Sequence, residues 1–331
     1  MNFPFNIYAV SFVLPFLATF ATSPLWIRFC VRLGLLDDPG HRKLHGRAIP
    51  LAGGLAVFSG FLFSSILGFA YLKFAEGSKT ALASQSGVLA YGAGRRGFEL
   101  LAVVIGAFGM LVLGFLDDKY ELRPGWKFTG QILVAFLAAW AGVRITIFVP
   151  SLLFSYAITV LWIVTVTNAF NFMDNMNGLC AGLGAIGAWV FGWSAAAKGQ
   201  YLVAIIAFQM AGALTGFLPY NYPNAKTFLG DAGSHLTGYW LAVLAILPHY
   251  YSRATPNAWA VLSPLFILAI PLGDMAYVVV LRTLKRQPFY IGDTNHFSHR
   301  LVRAGWSRAG AVALIWALGA LTGGIALWLF G

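Results

Sequence analysis

The stretch Ile145–Gly178 reads ITIFVPSLLFSYAITVLWIVTVTNAFNFMDNMNG. Its first 29 residues, through Met173, carry no charge. About 20 mostly apolar residues are enough for a helix to cross a bilayer, so this run predicts a membrane span. Its end differs in kind. Asn168, Asn171 and Asp174 recur three apart and fall along one stripe of a helix. Asn177 extends the spacing, and Gly178 predicts a break. Polar groups are costly in lipid unless they face partners or a cavity. The stripe therefore predicts one wall of a polar site, with helix packing through the amides as the alternative.

The rest of the chain follows the same pattern. Of 331 residues 59% are hydrophobic and only 10% charged, against about 25% charged in soluble domains. A soluble protein of this length would need more polar surface than these residues provide, whereas lipid solvates apolar side chains directly. Ten candidate spans emerge, at about 5–27, 51–72, 99–116, 128–143, 147–170, 178–197, 201–219, 233–251, 258–281 and 309–330. Gly182, Gly184 and Gly187 in the sixth predict close helix packing. The expected fold is all-α, a polytopic membrane helical bundle of about ten transmembrane helices forming a single domain over 1–331.

Charge sets the expected orientation. The loops after the odd-numbered spans hold 15 of the 22 lysines and arginines and the opposite loops hold 7. Positive residues are retained in the cytoplasm, so both termini are expected outside. Met1–Ile27 has no charge and hence no basic leader region, which predicts a retained helix and not a cleaved signal. The net charge of +11 could fit a nucleic-acid binder. Its placement in short loops between spans predicts topology instead, so the expected partners are a lipid bilayer and no nucleic acid. Cys30 and Cys180 lie near cytoplasmic helix ends, where no disulfide is expected.

Eight of the eleven acids fall on the cytoplasmic side, as do five of the six histidines on or near it. A transporter would gather ionisable groups near the midplane; this asymmetry favours an enzyme working at one membrane face. Four constellations could carry its chemistry. Asp117-Asp118 closes an uncharged run and could take a proton or organise a metal, or simply form a solvated helix end; Lys127, ten residues on, could hold a phosphate. The second is the Asn168–Asn177 stripe. The third, Phe228-Leu-Gly230-Asp231-Ala-Gly233-Ser234, follows Pro219-Tyr-Asn221-Tyr-Pro223 and permits close approach to an ion or phosphate, or forms a turn. Oxygen-only ligands such as Asn171 and Asp231 suit Mg²⁺ or Mn²⁺. The fourth, Asp293-Thr-Asn-His296-Phe-Ser-His299-Arg300, could neutralise a diphosphate, with zinc or a plain basic loop as rivals. Asp274 is an isolated acid in the ninth span, expected to pair with Arg282 or Lys285 if it has no functional role.

The sequence resembles the polyprenyl-phosphate N-acetylhexosamine-1-phosphate transferases, in the branch of bacterial undecaprenyl-phosphate GlcNAc-1-phosphate transferases. Five motifs carry the resemblance over nearly the whole chain: Arg42-Lys43-x-His45 with Ile49-Pro50-x-x-Gly53-Gly54, Asp117-Asp118, Asn168-x-x-Asn171-x-x-Asp174, Phe228-Leu-Gly230-Asp231-x-Gly233-Ser234, and Pro288 through Asp293 to His296-x-x-His299. It implies transfer of a HexNAc-1-phosphate, GlcNAc-1-phosphate foremost, from a UDP-sugar to polyprenyl phosphate with release of UMP. This would be the first step of a cell-envelope polysaccharide, at the cytoplasmic face of the inner membrane. It also implies that Asn171 and Asp231 bind the catalytic Mg²⁺, with Mn²⁺ as substitute. Asp117 would be the essential acid beside Asp118, and Asp174 would shape the pocket. Lys127 and the His296–Arg300 segment, with His299, would engage phosphates, while Asn221 and Phe228 match positions that hold the uridine. A homodimer is the assembly considered.

Two positions depart from the family pattern. Asn177 stands where an acid is usual, and Ser298 where a histidine is usual. They bear on the donor sugar more than on the reaction class. The alternatives are the cell-wall branch that transfers phospho-MurNAc-pentapeptide, whose histidine-rich last loop is not evident here, and a non-enzymatic transporter or scaffold.

Overall fold

A computed structural model describes residues 4–37, 48–76, 82–146, 149–250, 257–288, 290 and 293–330. The first, basic motif around Arg42–His45 lies outside the described residues. Thirteen α-helices are described: α1 (Phe5–Arg32), α2 (Gly53–Glu76), α3 (Leu82–Arg95), α4 (Gly97–Tyr120), α5 (Pro124–Trp140), α6 (Leu152–Met173), α7 (Leu179–Ala197), α8 (Tyr201–Asn221), α9 (Gly230–Leu244), α10 (Ser263–Ile267), α11 (Ala269–Leu284), α12 (Phe297–Arg303) and α13 (Arg308–Phe330). Two short strands, β1 (Leu36–Asp37) and β2 (Ile49–Pro50), pair antiparallel at the foot of α1 and α2. The chain is an all-α polytopic membrane protein.

Seven helices are individually long and apolar enough to cross a membrane: α1, α2, α4, α6, α7, α8 and α13. The short stretch Ala258–Ile267 together with α11 makes an eighth, bent by 71°. Pro271 in the first turn of α11 explains the break, because proline has no N–H for the carbonyl four residues back. The sequence treated 258–281 as one unbroken span. Two further expected spans are α5 and α9, of 17 and 15 residues; at 1.5 Å per residue these reach about 26 and 22 Å, short of the roughly 30 Å of hydrocarbon. The helix α3, in an expected outer loop, was not anticipated.

Lipid-facing helices such as α1 and α6 leave large apolar side chains exposed, among them Leu25 and Leu153, as a hydrocarbon solvent permits. By contrast, α9 is buried on every side; Asp231 alone among its fifteen residues is partly exposed. It packs against α2, α4, α6, α7 and α8. Small residues make this possible. A Cβ on Gly54 of α2 would sit 2.5 Å from the Gly233 nitrogen, and one on Gly114 of α4 would collide with the Asp231 carbonyl. The glycines expected to serve packing do so: Gly182 faces Trp316, Gly184 faces Thr237 and Gly187 faces Leu241.

Candidate active site

Four helix ends meet at one end of the bundle. The α4 C-terminus brings Asp117 and Asp118, the first turn of α5 brings Lys127, the last turn of α6 brings Asn171, and the α9 N-terminus brings Asp231. The α4–α5 turn is encoded locally. Glu121 ends α4 in the left-handed region with φ 48°, and Pro124 occupies the first turn of α5, where its missing N–H costs nothing. This hairpin folds Lys127 back onto Asp117.

The Lys127 ammonium sits among three oxygens: Asp117 Oδ2 at 2.6 Å, Asp231 Oδ2 at 2.8 Å and Asn171 Oδ1 at 3.3 Å. Asn171 Nδ2 donates to Asp231 Oδ1 at 2.7 Å and to Ser234 Oγ at 2.9 Å. Asp117 Oδ1 accepts the Leu122 N–H at 2.9 Å.

The acid beside Asp117 does different work. Asp118 Oδ1 accepts the Asp231 N–H at 2.7 Å and Oδ2 the Ala232 N–H at 3.0 Å. It caps α9 from another helix, satisfying two donors that a helix start leaves open. Asp174 takes a third, the Gly230 N–H; burial raises its carboxyl to about 8, and the Asp231 charge adds to the rise. Gly230 has φ +71°, and a Cβ there would stand 2.7 Å from Asp118 Oδ2. Two acidic side chains thus fix the backbone that carries Asp231.

An open cavity of about 1210 Å³ spreads from this cluster. Its wall includes Asp117, Lys127, Asn171, Asp174, Asn177, Asn221, Phe228, Asp231 and His299. Two expected site residues also make structural hydrogen bonds. Asn221 is 2% exposed; its Oδ1 accepts the Gly178 N–H at 2.6 Å and its Nδ2 donates to the Thr227 carbonyl at 2.9 Å, so it pins the turn after α8. His296 is buried with Nδ1 2.6 Å from Asp274 Oδ2 and is not on the cavity wall. Arg300 is exposed, also off that wall, and stacks over Tyr277 with its guanidinium 5.1 Å from the ring centroid. Asn177 keeps a place on the wall while its Nδ2 donates to the Pro223 carbonyl at 2.9 Å.

Sequence reasoning missed two residues, Arg308 and His235, and the partner of a third, Asp274. Arg308, at the start of α13, lines the cavity. Asp274 pairs with His296 and not with the expected Arg282 or Lys285; Arg282 pairs with Asp293 at 3.0 Å. His235 is fully buried beneath the site, with Nδ1 2.6 Å from the Asp231 carbonyl. For His235 alone a local signal existed, a histidine four residues after the acid Asp231; the Asp274–His296 pair is 22 residues apart in sequence.

Among the described residues no group of three His, Cys, Asp or Glu side chains is placed to hold a metal ion. A cation here would depend on Asn171 as well as Asp231, with remaining positions left to a ligand. The three oxygens around the Lys127 ammonium show that the pocket accepts a cation. Their chemistry, carboxylate and amide oxygen without sulfur or imidazole, fits a hard divalent ion.

Fold and site together define a polytopic membrane enzyme whose acids and amides are gathered at one end of its helices. A family model described as glycosyl transferase family 4 matches residues 100–249. The chain is 33% identical to a probable undecaprenyl-phosphate N-acetylglucosaminyl 1-phosphate transferase of Bacillus subtilis, over 94% of this chain and 81% of the relative. It is 31% identical to a decaprenyl-phosphate N-acetylglucosaminephosphotransferase of Mycobacterium tuberculosis, over 90% and 76%. It is 27% identical to an undecaprenyl-phosphate alpha-N-acetylglucosaminyl 1-phosphate transferase of Yersinia pestis, over 94% and 81%. The chain belongs to this family of polyprenyl-phosphate sugar-1-phosphate transferases.

Proposed function

We propose that this protein transfers N-acetylglucosamine 1-phosphate from a UDP-sugar to polyprenyl phosphate. A phosphate oxygen of the lipid attacks the phosphorus that bears the sugar, the bond to the UMP oxygen breaks, and UMP leaves. The products are UMP and the sugar diphosphate lipid. The carrying observation is the convergence of Asp117, Lys127, Asn171 and Asp231 beside one open cavity.

The chief physical obstacle is bringing two anions together. Mg²⁺, when bound, offsets that repulsion and charge on the transferring phosphoryl group, and Mn²⁺ would serve the same end. Asn171 and Asp231 would hold it. Asp117 lies within reach of the same space and serves as the base that takes the proton of the lipid phosphate. Lys127 exchanges its carboxylate partners for substrate phosphate. His299 and Arg308 add positive or donor groups on the cavity wall. Asp118 and Asp174 keep Asp231 in position through the backbone of α9. The polar end faces the cytoplasm of the inner membrane, where the UDP-sugar is made, in a ten-span arrangement with both termini outside and α5 and α9 as the shorter spans. The positive excess of the loops on that side supports this orientation.

The test is UMP release by the purified protein given undecaprenyl phosphate, Mg²⁺ and a panel of UDP-N-acetylhexosamines. Release is expected with UDP-GlcNAc. Absence of release with every donor, or unchanged release by Asp117→Asn and Asp231→Asn, would sink the assignment.

A further inference from the structure

The α12 helix has seven residues, too few to hold its place by itself. Its seat comes from α11. Asp274, 6% exposed, accepts the Phe297 N–H on Oδ1 at 2.7 Å and meets His296 Nδ1 with Oδ2 at 2.6 Å. Two turns on, Arg282 reaches Asp293 Oδ2 at 3.0 Å, and Asp293 Oδ1 accepts the Asn295 N–H at 2.8 Å. One face of α11 therefore grips both ends of the segment 293–297.

The grip is passed on. Ser298 is 1% exposed and donates to Asn175 Oδ1 at 2.6 Å, while Asn175 Nδ2 donates to the Phe172 carbonyl at 2.7 Å. Asn175 belongs to the turn that presents Asp174 and Asn177 to the cavity. The His296 ring packs edge-on against Phe172, the neighbour of Asn171, with centroids 5.8 Å apart. His299, one helical turn after His296, is on the cavity wall, whereas Asp274 and His296 are not.

We propose that Asp274 is a positioning residue: through His296 and Phe297 it seats α12, so that His299 faces the catalytic cavity and Ser298 braces the Asp174–Asn177 turn. The carboxylate suits the task because it can accept from both the backbone N–H and the imidazole. An amide at this position keeps one acceptor and offers a donor to the ring; alanine loses both contacts. The activity readout rests on the phosphotransfer reading, but the positioning itself does not.

Hydrogen–deuterium exchange on the full-length protein tests the positioning directly. With Asp274→Ala, amides of 297–303 and 174–178 are expected to exchange about tenfold faster, the equivalent of one hydrogen bond to a charged group. Asp274→Asn should fall between, and amides of α7 and α8 should not change. In parallel, Asp274→Ala should raise the KM for UDP-GlcNAc more than it lowers kcat. His299→Ala should cost about tenfold in kcat/KM in the wild-type background and little in the Asp274→Ala background, because coupled residues are non-additive. Unchanged exchange across α12 in a folded variant, or fully additive kinetics, overturns the proposal. If Asp274→Ala does not fold, Asp274→Asn carries both tests. A wild-type protein that releases no UMP removes the phosphotransfer reading, while the exchange result still decides the positioning.

Discussion

Lys127 and Asp231, 104 residues apart in sequence, meet at 2.8 Å. Around that ion pair the ends of four helices converge, and the same oxygens that hold the ammonium are those a divalent cation would need. The lysine and such a cation would therefore compete for one set of partners. In Lys127→Met the carboxylates lose their counter-charge. The variant should melt lower than the wild type without Mg²⁺ and gain more on its addition, in thermal-shift titrations in detergent. Its kcat/KM should fall by about 10²-fold or more, the usual cost of losing a charged group at a transferring phosphate. A wild-type-like response to Mg²⁺ would count against the shared-site reading.

Asp118 should behave unlike Asp117, although the two are adjacent. Asp118→Ala removes the acceptor for two amide donors at the start of α9. A lost cap costs about 1–2 kcal/mol, so the melting temperature should drop. Asp117→Asn keeps the hydrogen bond to Leu122 and should melt nearly as the wild type while losing turnover. Equal melting losses in the two variants would refute the division of labour.

Gly230→Ala should be more damaging than its size suggests. The φ of +71° and the Asp118 oxygen 2.7 Å from the added carbon oppose it together. The left-handed backbone alone costs about 1–2 kcal/mol. Because the next residue is Asp231, Mg²⁺-dependent activity should fall further than stability, and Mg²⁺ titration of both readouts checks this.

The raised Asp174 carboxyl gives a pH signature. Its pKa is about 8 in the fold and about 3.9 in an unfolded chain. The fold therefore binds more protons across that interval, and stability must fall as pH rises through it. Without divalent ions the melting temperature should decline from about pH 5 to pH 8, and Asp174→Asn should flatten that slope. A wild-type profile that rises over the interval would contradict the assignment.

Asn221→Ala separates packing from recognition. Both halves of the amide are bonded to backbone at 2.6 and 2.9 Å, so its loss should lower the melting temperature. Catalysis by protein that remains folded should respond less. A large rise in donor KM at unchanged stability would instead restore Asn221 to the substrate.

Much of this was legible in the sequence, for physical reasons. Long uncharged runs fix helices in lipid, and the Asn168–Asn171–Asp174 stripe announced a polar wall because such groups are too costly to leave facing hydrocarbon. Asp117, Lys127 and Asp231 were readable because each stands at the end of an apolar run. Three-dimensional partners were not. Nothing local distinguishes Asp118, which faces amides, from Asp117, which faces a lysine. Asp274 looked like an interfacial acid, since its partner His296 lies 22 residues on and reaches it only once α11 and α12 are packed. Nor does hydropathy reveal that α9 is sheathed by protein, because lipid and a helical neighbour favour the same side chains.

That sheath has a consequence for how the enzyme senses its surroundings. The helix bearing Asp231 has no side exposed to the bilayer, so membrane thickness, tension and acyl composition can act on it only through the rigid backbone contacts of its neighbours. Its neighbour α6 does face lipid and brings Asn171 to the same site, so forces from the bilayer reach the reaction centre through α6 and not through α9 itself. Activity should accordingly respond to the mechanics of the bilayer only as far as α6 and the other lipid-facing neighbours of α9 yield to them.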